Sequence, residues 1–396
     1  MRQTAVGRLR RTPLRAVVAL SLVTWLSACS AGGTATVGSD GAGTQAVAID
    51  PATLGPKGIV GKGPNGESPA SVDSLQLSPA DAAKVRAKKF KVAISVQTMS
   101  IDWAKLQVRG ITDTLNKYGA QVVGVINPEF QVDKQVAGIE NMIQRKPDAF
   151  IGIPVDDTAT APAFKKIGQS GIKLILMDNI PKGLSYPQDY QSMVSADSEG
   201  NGWIAAQGLA AQVPKGGTVG IIGFGVDFFV TNERVRGVKD WFAKNRPDVK
   251  IKESDFTDAD DAQSVTENFL TANPDVKGVF VVWDAPAMGA VTAARTLGRN
   301  IPVTTIDLGL QAATEMAKGG LIKAVGAQRP YDQGVAEALA ALNSLIGKQP
   351  AAWIGVQSLP VVQKNVLQQY KTVWHTDPPK DLVDACNVAP ACDKSN

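Results

Sequence analysis

From residue 90 onward, short apolar runs alternate with stretches whose apolar residues recur every three to four positions. The runs are KVAISV (91–96), QVVGVI (121–126), AFIGI (149–153), KLILMD (173–178), MVSAD (193–197), TVGIIGF (218–224), KIKESDF (250–256), GVFVVW (278–283), VTTID (303–307) and IKAVGAQ (322–328). Most are β-branched without polar alternation, the pattern of strands covered on both faces. Between them, Trp103–Tyr118, Gln131–Gln144, Glu199–Gln212, Asn232–Lys244 and Asp260–Thr271 read as helices. Strands alternating with helices predict parallel βαβ units. Ten strands over roughly 285 residues suit two doubly wound sheets better than one.

Open parallel sheets bind ligands at the carboxyl ends of their strands. Those ends carry Asp156-Asp157, Asp178-Asn179, Asp255-Phe256, Trp283-Asp284, Asp307 and Gln328-Arg329, while the first strand leads into Gln97, Ser100, Asp102 and Trp103. Carboxylates, amides and guanidinium beside aromatic faces suit a polyhydroxylated ligand. The plain alternative for each Asp is a helix cap or turn.

The amino-terminal pattern differs. Arg2, Arg8, Arg10, Arg11 and Arg15 precede the apolar run Ala16–Leu26. Eleven helical residues rise about 16 Å, half of a ~30 Å hydrocarbon core, so the run is the apolar region of an export signal rather than a membrane span. It ends in Leu26-Ser27-Ala28-Cys29, which resembles a bacterial lipobox, with Cys29 as the lipidated residue. Pro13 stands after Arg10-Arg11 where a twin-arginine signal prefers an aromatic, favouring the ordinary secretory route. Residues 29–87 are rich in Gly, Ala, Ser, Thr and Pro without a period, predicting a flexible tether. Gly55–Gly63 is not a phosphate loop, because the glycine spacing is one residue too long and Gly63, not Ser or Thr, follows Lys62.

Charge changes meaning once the leader is set apart. The chain of 396 residues has a formal charge of +4, and removing the leader's five arginines leaves −1, so the basic balance is no sign of a nucleic-acid partner. A single histidine, His375, excludes a His-rich metal site, and no metal or other cofactor is expected. Asp258, Asp260 and Asp261 crowd a helix start without the Gly and distal Glu of a calcium loop, so they read as helix N-terminal charge. Gly223-Phe224-Gly225 lacks the last glycine of a dinucleotide fingerprint. Outside the cytoplasm, with Cys29 carrying lipid, Cys386 and Cys392 are expected to pair.

Over about residues 88–374 the sequence resembles the type 1 periplasmic binding proteins of the ribose- and galactose-binding group. The likeness rests on KVAISVQTMSIDWAKLQVRGI, on Ile172–Asn179, on Asn232–Gly237 with its R-x-x-G pattern, on Leu270–Asp284 and on Leu321–Gln333. It implies two doubly wound parallel-sheet lobes joined by a three-strand hinge, with crossings near Asp197, Gln328 and Ser358. The expected parts are the 1–28 signal peptide, the 29–87 tether, an N-terminal lobe of 88–196 plus 329–357, a C-terminal lobe of 197–328 plus 358–374, and a 375–396 tail with the disulfide. The resemblance makes Trp103 and Phe256 the walls stacking on a sugar, and Asp178, Asn179, Arg234, Asp307 and Gln328 the polar ring. Asn179 stands where ribose binders carry Arg, and Ile101, Ile153 and Trp283 stand where they carry Asn. Losing three amides implies a ligand other than ribose, one offering a larger apolar face or fewer hydroxyls: a deoxy or methylated sugar, a polyol, or another ring.

The leading expectation is an exported, monomeric solute-binding protein, lipid-anchored at the outer face of the cytoplasmic membrane through Cys29, that closes on its ligand and delivers it to the permease of an ABC importer. A ligand-presenting sensor uses the same closure. An exported sugar-processing enzyme is disfavoured, because adjacent carboxylates such as Asp156-Asp157 rarely face each other across a substrate and no nucleophile motif stands out. A DNA-binding repressor shares such a body, but here an export signal stands where a helix-turn-helix would be.

Overall fold

Most of the apolar runs become buried strands because helices cover both faces of each sheet, while the runs 121–126 and 250–256 form partly exposed edges. The computed structural model describes residues 48–394, so the leader, Cys29 and the first part of the tether lie outside the described residues. The chain first lays down β1 (Ala70–Ser71), α1 (Pro79–Lys88), β2 (Lys91–Ser95), α2 (Asp102–Lys117), β3 (Gln121–Ile126), α3 (Val132–Gln144), β4 (Ala149–Gly152), α4 (Ala161–Gln169), β5 (Lys173–Met177) and β6 (Ser192–Ala196). It crosses into α5 (Ser198–Ala210), β7 (Thr218–Phe224), α6 (Phe229–Asn245), β8 (Lys250–Phe256), α7 (Ala262–Ala272), β9 (Val276–Val281), α8 (Asp284–Thr296), β10 (Val303–Ile306), α9 (Leu310–Ala317) and β11 (Ile322–Ala327). It returns through α10 (Pro330–Leu345) and β12 (Trp353–Val356), and ends in β13 (Leu359–Val362), α11 (Val366–Trp374) and α12 (Lys380–Asn387).

Two sheets result, ordered β1-β12-β6-β5-β4-β2-β3 and β13-β11-β10-β9-β7-β8. All pairings are parallel except β11 with β13. That antiparallel edge admits Pro360, whose missing N–H a central strand would not tolerate. The chain changes sheet after Ala196, after Ala327 and between Val356 and Leu359. The two lobes are therefore joined by three segments.

Two pairs of glycines bring the helices close. A Cβ on Gly202 of α5 would lie 2.3 Å from the carbonyl oxygen of Arg234, and one on Gly237 of α6 would lie 2.4 Å from that of Glu199. The same device joins α2 to α10 in the first lobe through Gly110 and Gly334.

The segment 48–87 corrects the tether expectation. Ala70 and Ser71 add an edge strand beside Ile354 and Gly355. Upstream, the N–H groups of Val60 and Gly61 donate to the two carboxylate oxygens of Asp197 at 2.9 and 3.0 Å, and that of Gly55 donates to Gln207 Oε1. Asp197 also caps α5 through Gly200 N–H at 3.0 Å. The Gly- and Pro-rich composition thus describes an irregular but hydrogen-bonded strap over the first crossing. Ser78 caps α1, with Pro79 in its first turn, and Asp81 of that helix pairs with Lys348 at 2.6 Å.

The carboxyl-terminal residues are likewise not a separate tail. Leu382, Ala385, Cys386, Ala389 and Cys392 are buried in the second lobe's core. Cys386 and Cys392 are joined, with Cα atoms 5.3 Å apart. So short a loop contributes about 2 kcal/mol through the unfolded state. Replacing both cysteines with serine is expected to lower the melting temperature by a few degrees, and reduction should shift the mass of the Cys386/Cys392 peptide; two free thiols in the exported protein contradict the bond. Among the described residues no helix is long and apolar enough to cross a membrane, and no group of three or more His, Cys, Asp or Glu side chains is placed to hold a metal ion.

Candidate functional site

Strand ends from both sheets meet between the lobes. Asp178 follows β5 and Asp307 follows β10, and both adopt left-handed backbone, with φ of +53° and +71°. That conformation is unfavourable for a residue with a Cβ, and here it turns a carboxylate at the end of one strand in each lobe. Asp178 is 4 % exposed; its Oδ1 accepts from Gln333 Nε2 at 2.9 Å and its N–H donates to Val194 O. Asp307 Oδ1 accepts from Gln328 Nε2 at 2.8 Å. Burial raises the pKa of both carboxyls, Asp178 to about 7, against the hydrogen bonds and the opposing pull of Arg234.

Arg234 reaches this place from α6, which the Gly202–Gly237 approach holds against α5. It is 6 % exposed, donates through Nη1 to Val282 O at 3.1 Å, and stands 3.8 Å from Asp307 Oδ2. Its Nε has no partner. Asn179 is fully buried; its Oδ1 accepts from the Phe229 N–H at 3.1 Å while its Nδ2 is unpartnered. That bond crosses from the first lobe to the second. Phe228 and Val230 cross the same way into the first lobe's core, and Leu106 of α2 packs in the second's. Arg109 on α2 donates to Trp374 O, and His375 pairs with Asp332 at 3.1 Å. The lobes thus touch around the crevice.

Aromatic rings form one wall. Phe224 and Phe256 are partners across β7 and β8. Their centroids are 5.6 Å apart, and Trp283 meets them at 5.3 and 5.2 Å, edge to face. Trp103, in the first turn of α2, packs half-buried against the first lobe's core, with a buried indole N–H that has no partner.

The structure therefore brings Asp178, Asn179, Arg234, Asp307 and Gln328 into one polar set, and joins Phe256 to Trp283. Ile153 is 3 % exposed within the first lobe's core, and Ile101 precedes α2 at 37 % exposure. Sequence reasoning missed Phe224, whose signal was its place at the end of TVGIIGF, and Gln333, which engages Asp178 from α10. Asp284 was noted only as a strand end. It caps the loop at Gly309 by accepting its N–H at 2.7 Å, and burial beside Asp307 raises its pKa.

Two lobes joined by three segments gather carboxylates, a guanidinium, amides and aromatic rings where they meet. The periplasmic binding protein domain matches residues 92–349, and the chain belongs to that family. It is 27% identical over 262 residues to the ribose import binding protein of Bacillus subtilis, covering 66% of this chain and 84% of that protein. Among solved structures, an ABC transporter periplasmic solute binding protein from Actinobacillus succinogenes with bound D-allose is 28% identical with a TM-score of 0.62, covering 70% of this chain and 99% of that one. A solute binding protein from Agrobacterium vitis, bound with α-D-tagatopyranose, shares the fold at 24% identity and a TM-score of 0.66, covering 74% of this chain and all of that one. These relatives are named as binding proteins for transport, not as enzymes.

Proposed function

We propose that this chain is the exported solute-binding component of an ABC importer, and that it captures a small carbohydrate or polyol by hinge closure. The observation that carries this reading is the set of buried polar atoms left without partners at the crevice: Trp103 Nε1, Asn179 Nδ2 and Arg234 Nε. A buried donor without an acceptor is costly. A ligand rich in hydroxyl oxygens supplies acceptors for these three groups and donors for Asp178 and Asp307. The relatives' names, which mention ribose, D-allose and a tagatopyranose, agree with this chemistry.

The wall of Phe224, Phe256 and Trp283 favours a ligand with one broad C–H face, which sets it apart from ribose: a deoxy or methylated sugar, a polyol or a cyclitol. Ligand contacts from Asp178 in one lobe and Arg234 and Asp307 in the other stabilise the closed form, which docks on the permease. The mature protein works as a monomer, held at the membrane by lipid on Cys29. Calorimetric titration against a panel of pentoses, deoxyhexoses, polyols and cyclitols tests this reading. One compound should bind at one site per chain and be recovered chemically unchanged; no binding across the panel, or turnover of the bound compound, contradicts it. Trp103→Ala is expected to weaken that binding about tenfold or more and to remove its tryptophan fluorescence change. Undiminished affinity rules out the stacking role.

A further inference from the structure

Behind Asp178, the seam between α2 and α10 holds a buried polar chain. The helices approach closely because a Cβ on Gly110 would lie 2.1 Å from the Tyr331 carbonyl oxygen, and one on Gly334 would lie 2.2 Å from that of Gln107. Gln107, Gln333 and Glu337 project into the seam, each fully buried. Gln107 Nε2 donates to Glu337 Oε1, and Gln333 Nε2 donates to Asp178 Oδ1. Gln333 and Glu337 are four residues apart, on one face of α10.

Three atoms of this chain remain without partners, Gln107 Oε1, Gln333 Oε1 and Glu337 Oε2, the last two on the same face of α10. An amide oxygen and an ionised carboxylate oxygen are both acceptors and cannot satisfy each other. A protonated carboxyl supplies the missing donor. The charged neighbour of Glu337 is the carboxylate of Asp178, at the end of β5; its partner from α2 is the neutral Gln107, and none of the ion pairs among the described residues brings it a cation. Burial and the Asp178 charge both hold Glu337 well above the usual carboxylate range.

We propose that Glu337 is a neutral carboxylic acid whose O–H donates to Gln333 Oε1, and that it thereby fixes the Gln333 amide with its N–H toward Asp178. The chain is then directional, each member donating toward the crevice: Gln107 to Glu337, Glu337 to Gln333, Gln333 to Asp178. A rotated Gln333 would set its oxygen against the Asp178 carboxylate and its NH2 against the Glu337 O–H, a pairing wrong at both ends. Gln333 and Glu337 are positioning residues for Asp178, and only the importance of Asp178 to the ligand rests on the function proposed above.

The test needs no ligand. In Glu337→Gln the new amide accepts from Gln107 and donates to Gln333 as the acid does. Infrared spectra of the ligand-free protein at pH 8 should show a protonated-carboxyl band in the wild type and in Asp178→Asn, absent from Glu337→Gln. Carbon NMR titration of the Asp178 carboxyl should give the same midpoint in Glu337→Gln as in the wild type, whereas Gln333→Leu should raise it by about one pH unit through loss of its hydrogen bond. A band that persists in Glu337→Gln, or an Asp178 midpoint that falls when Glu337 is replaced, shows that Glu337 was ionised and overturns the proposal. An unchanged midpoint in Gln333→Leu overturns the positioning role.

Discussion

Asp178→Asn is expected to abolish ligand binding and, at pH 8, to stabilise the ligand-free protein. Asp178 is almost completely buried, and its pKa is raised from 3.8 to about 7, first by burial. Between those values the folded protein keeps a proton that the unfolded chain gives up. Stability therefore falls as pH rises from about 4 to 7, and the loss persists above 7. A change of about three pH units corresponds to roughly 4 kcal/mol, a net figure in which the cost of burial already outweighs the attraction to Arg234. Asparagine has no ionised form and keeps an oxygen for the Gln333 N–H. The melting temperature of Asp178→Asn should exceed that of the wild type at pH 8 and match it at pH 4. A lower melting temperature at pH 8 would mean that Asp178 serves the fold rather than the ligand. Stability given up at a binding carboxylate is a common mark of function.

Arg234→Ala is the second large effect. The guanidinium is the cation nearest Asp307, at 3.8 Å, and it anchors to Val282 O. Its removal leaves Asp307 without its cation; with a pKa already raised by burial, Asp307 can take up a proton. The expected loss in the ligand-free protein is therefore about 1–3 kcal/mol, less than the usual cost of breaking a buried pair. Ligand-induced stabilisation should vanish completely. Arg234→Lys should not restore it, because an ammonium lacks the planar fork that serves Val282, Asp307 and a ligand together. Thermal unfolding with and without ligand checks both points; full ligand stabilisation in Arg234→Ala removes the residue from the site.

The parts of the fold legible in the sequence were those with a period. The inner strands between β2 and β11 are apolar runs because helices bury both faces, and KLILM or GVFVV can hardly be anything else; the edge strand β8, KIKESDF, is legible only by its place in the alternation. β12 and β13 were not legible: WIGV is four residues long, and LPVV carries a proline that argues against a strand unless an edge admits it. Residues 48–87 misled for a different reason. Their order comes from N–H groups at Val60 and Gly61 meeting the Asp197 carboxylate, a long-range partner that no local pattern announces. The terminal cysteines were paired correctly in expectation, yet the packing of α12 into the core was hidden by its shortness.

The site shows the same division. Polar residues at the ends of apolar strands could be read directly, because in an open parallel sheet such ends face a crevice. Asp178, Asp307 and Gln328 are read that way, whereas Arg234, on α6, is singled out by the R-x-x-G pattern of the resemblance and Trp103 by its place at the start of α2. Gln333 and Glu337 lie on a helix instead. Glu337 was still visible in principle, as a lone acid in the apolar stretch GVAEALAAL, where a charge needs a reason.

The most direct measurement is a crystal structure of the mature protein grown with whichever sugar, polyol or cyclitol raises its melting temperature most. The account predicts one ligand between the lobes, accepting from Arg234 and Asn179, donating to Asp178 and Asp307, with its C–H face on the Phe224, Phe256 and Trp283 wall. A ligand bound elsewhere, or in the crevice without contact to Asp178 and Arg234, would contradict it.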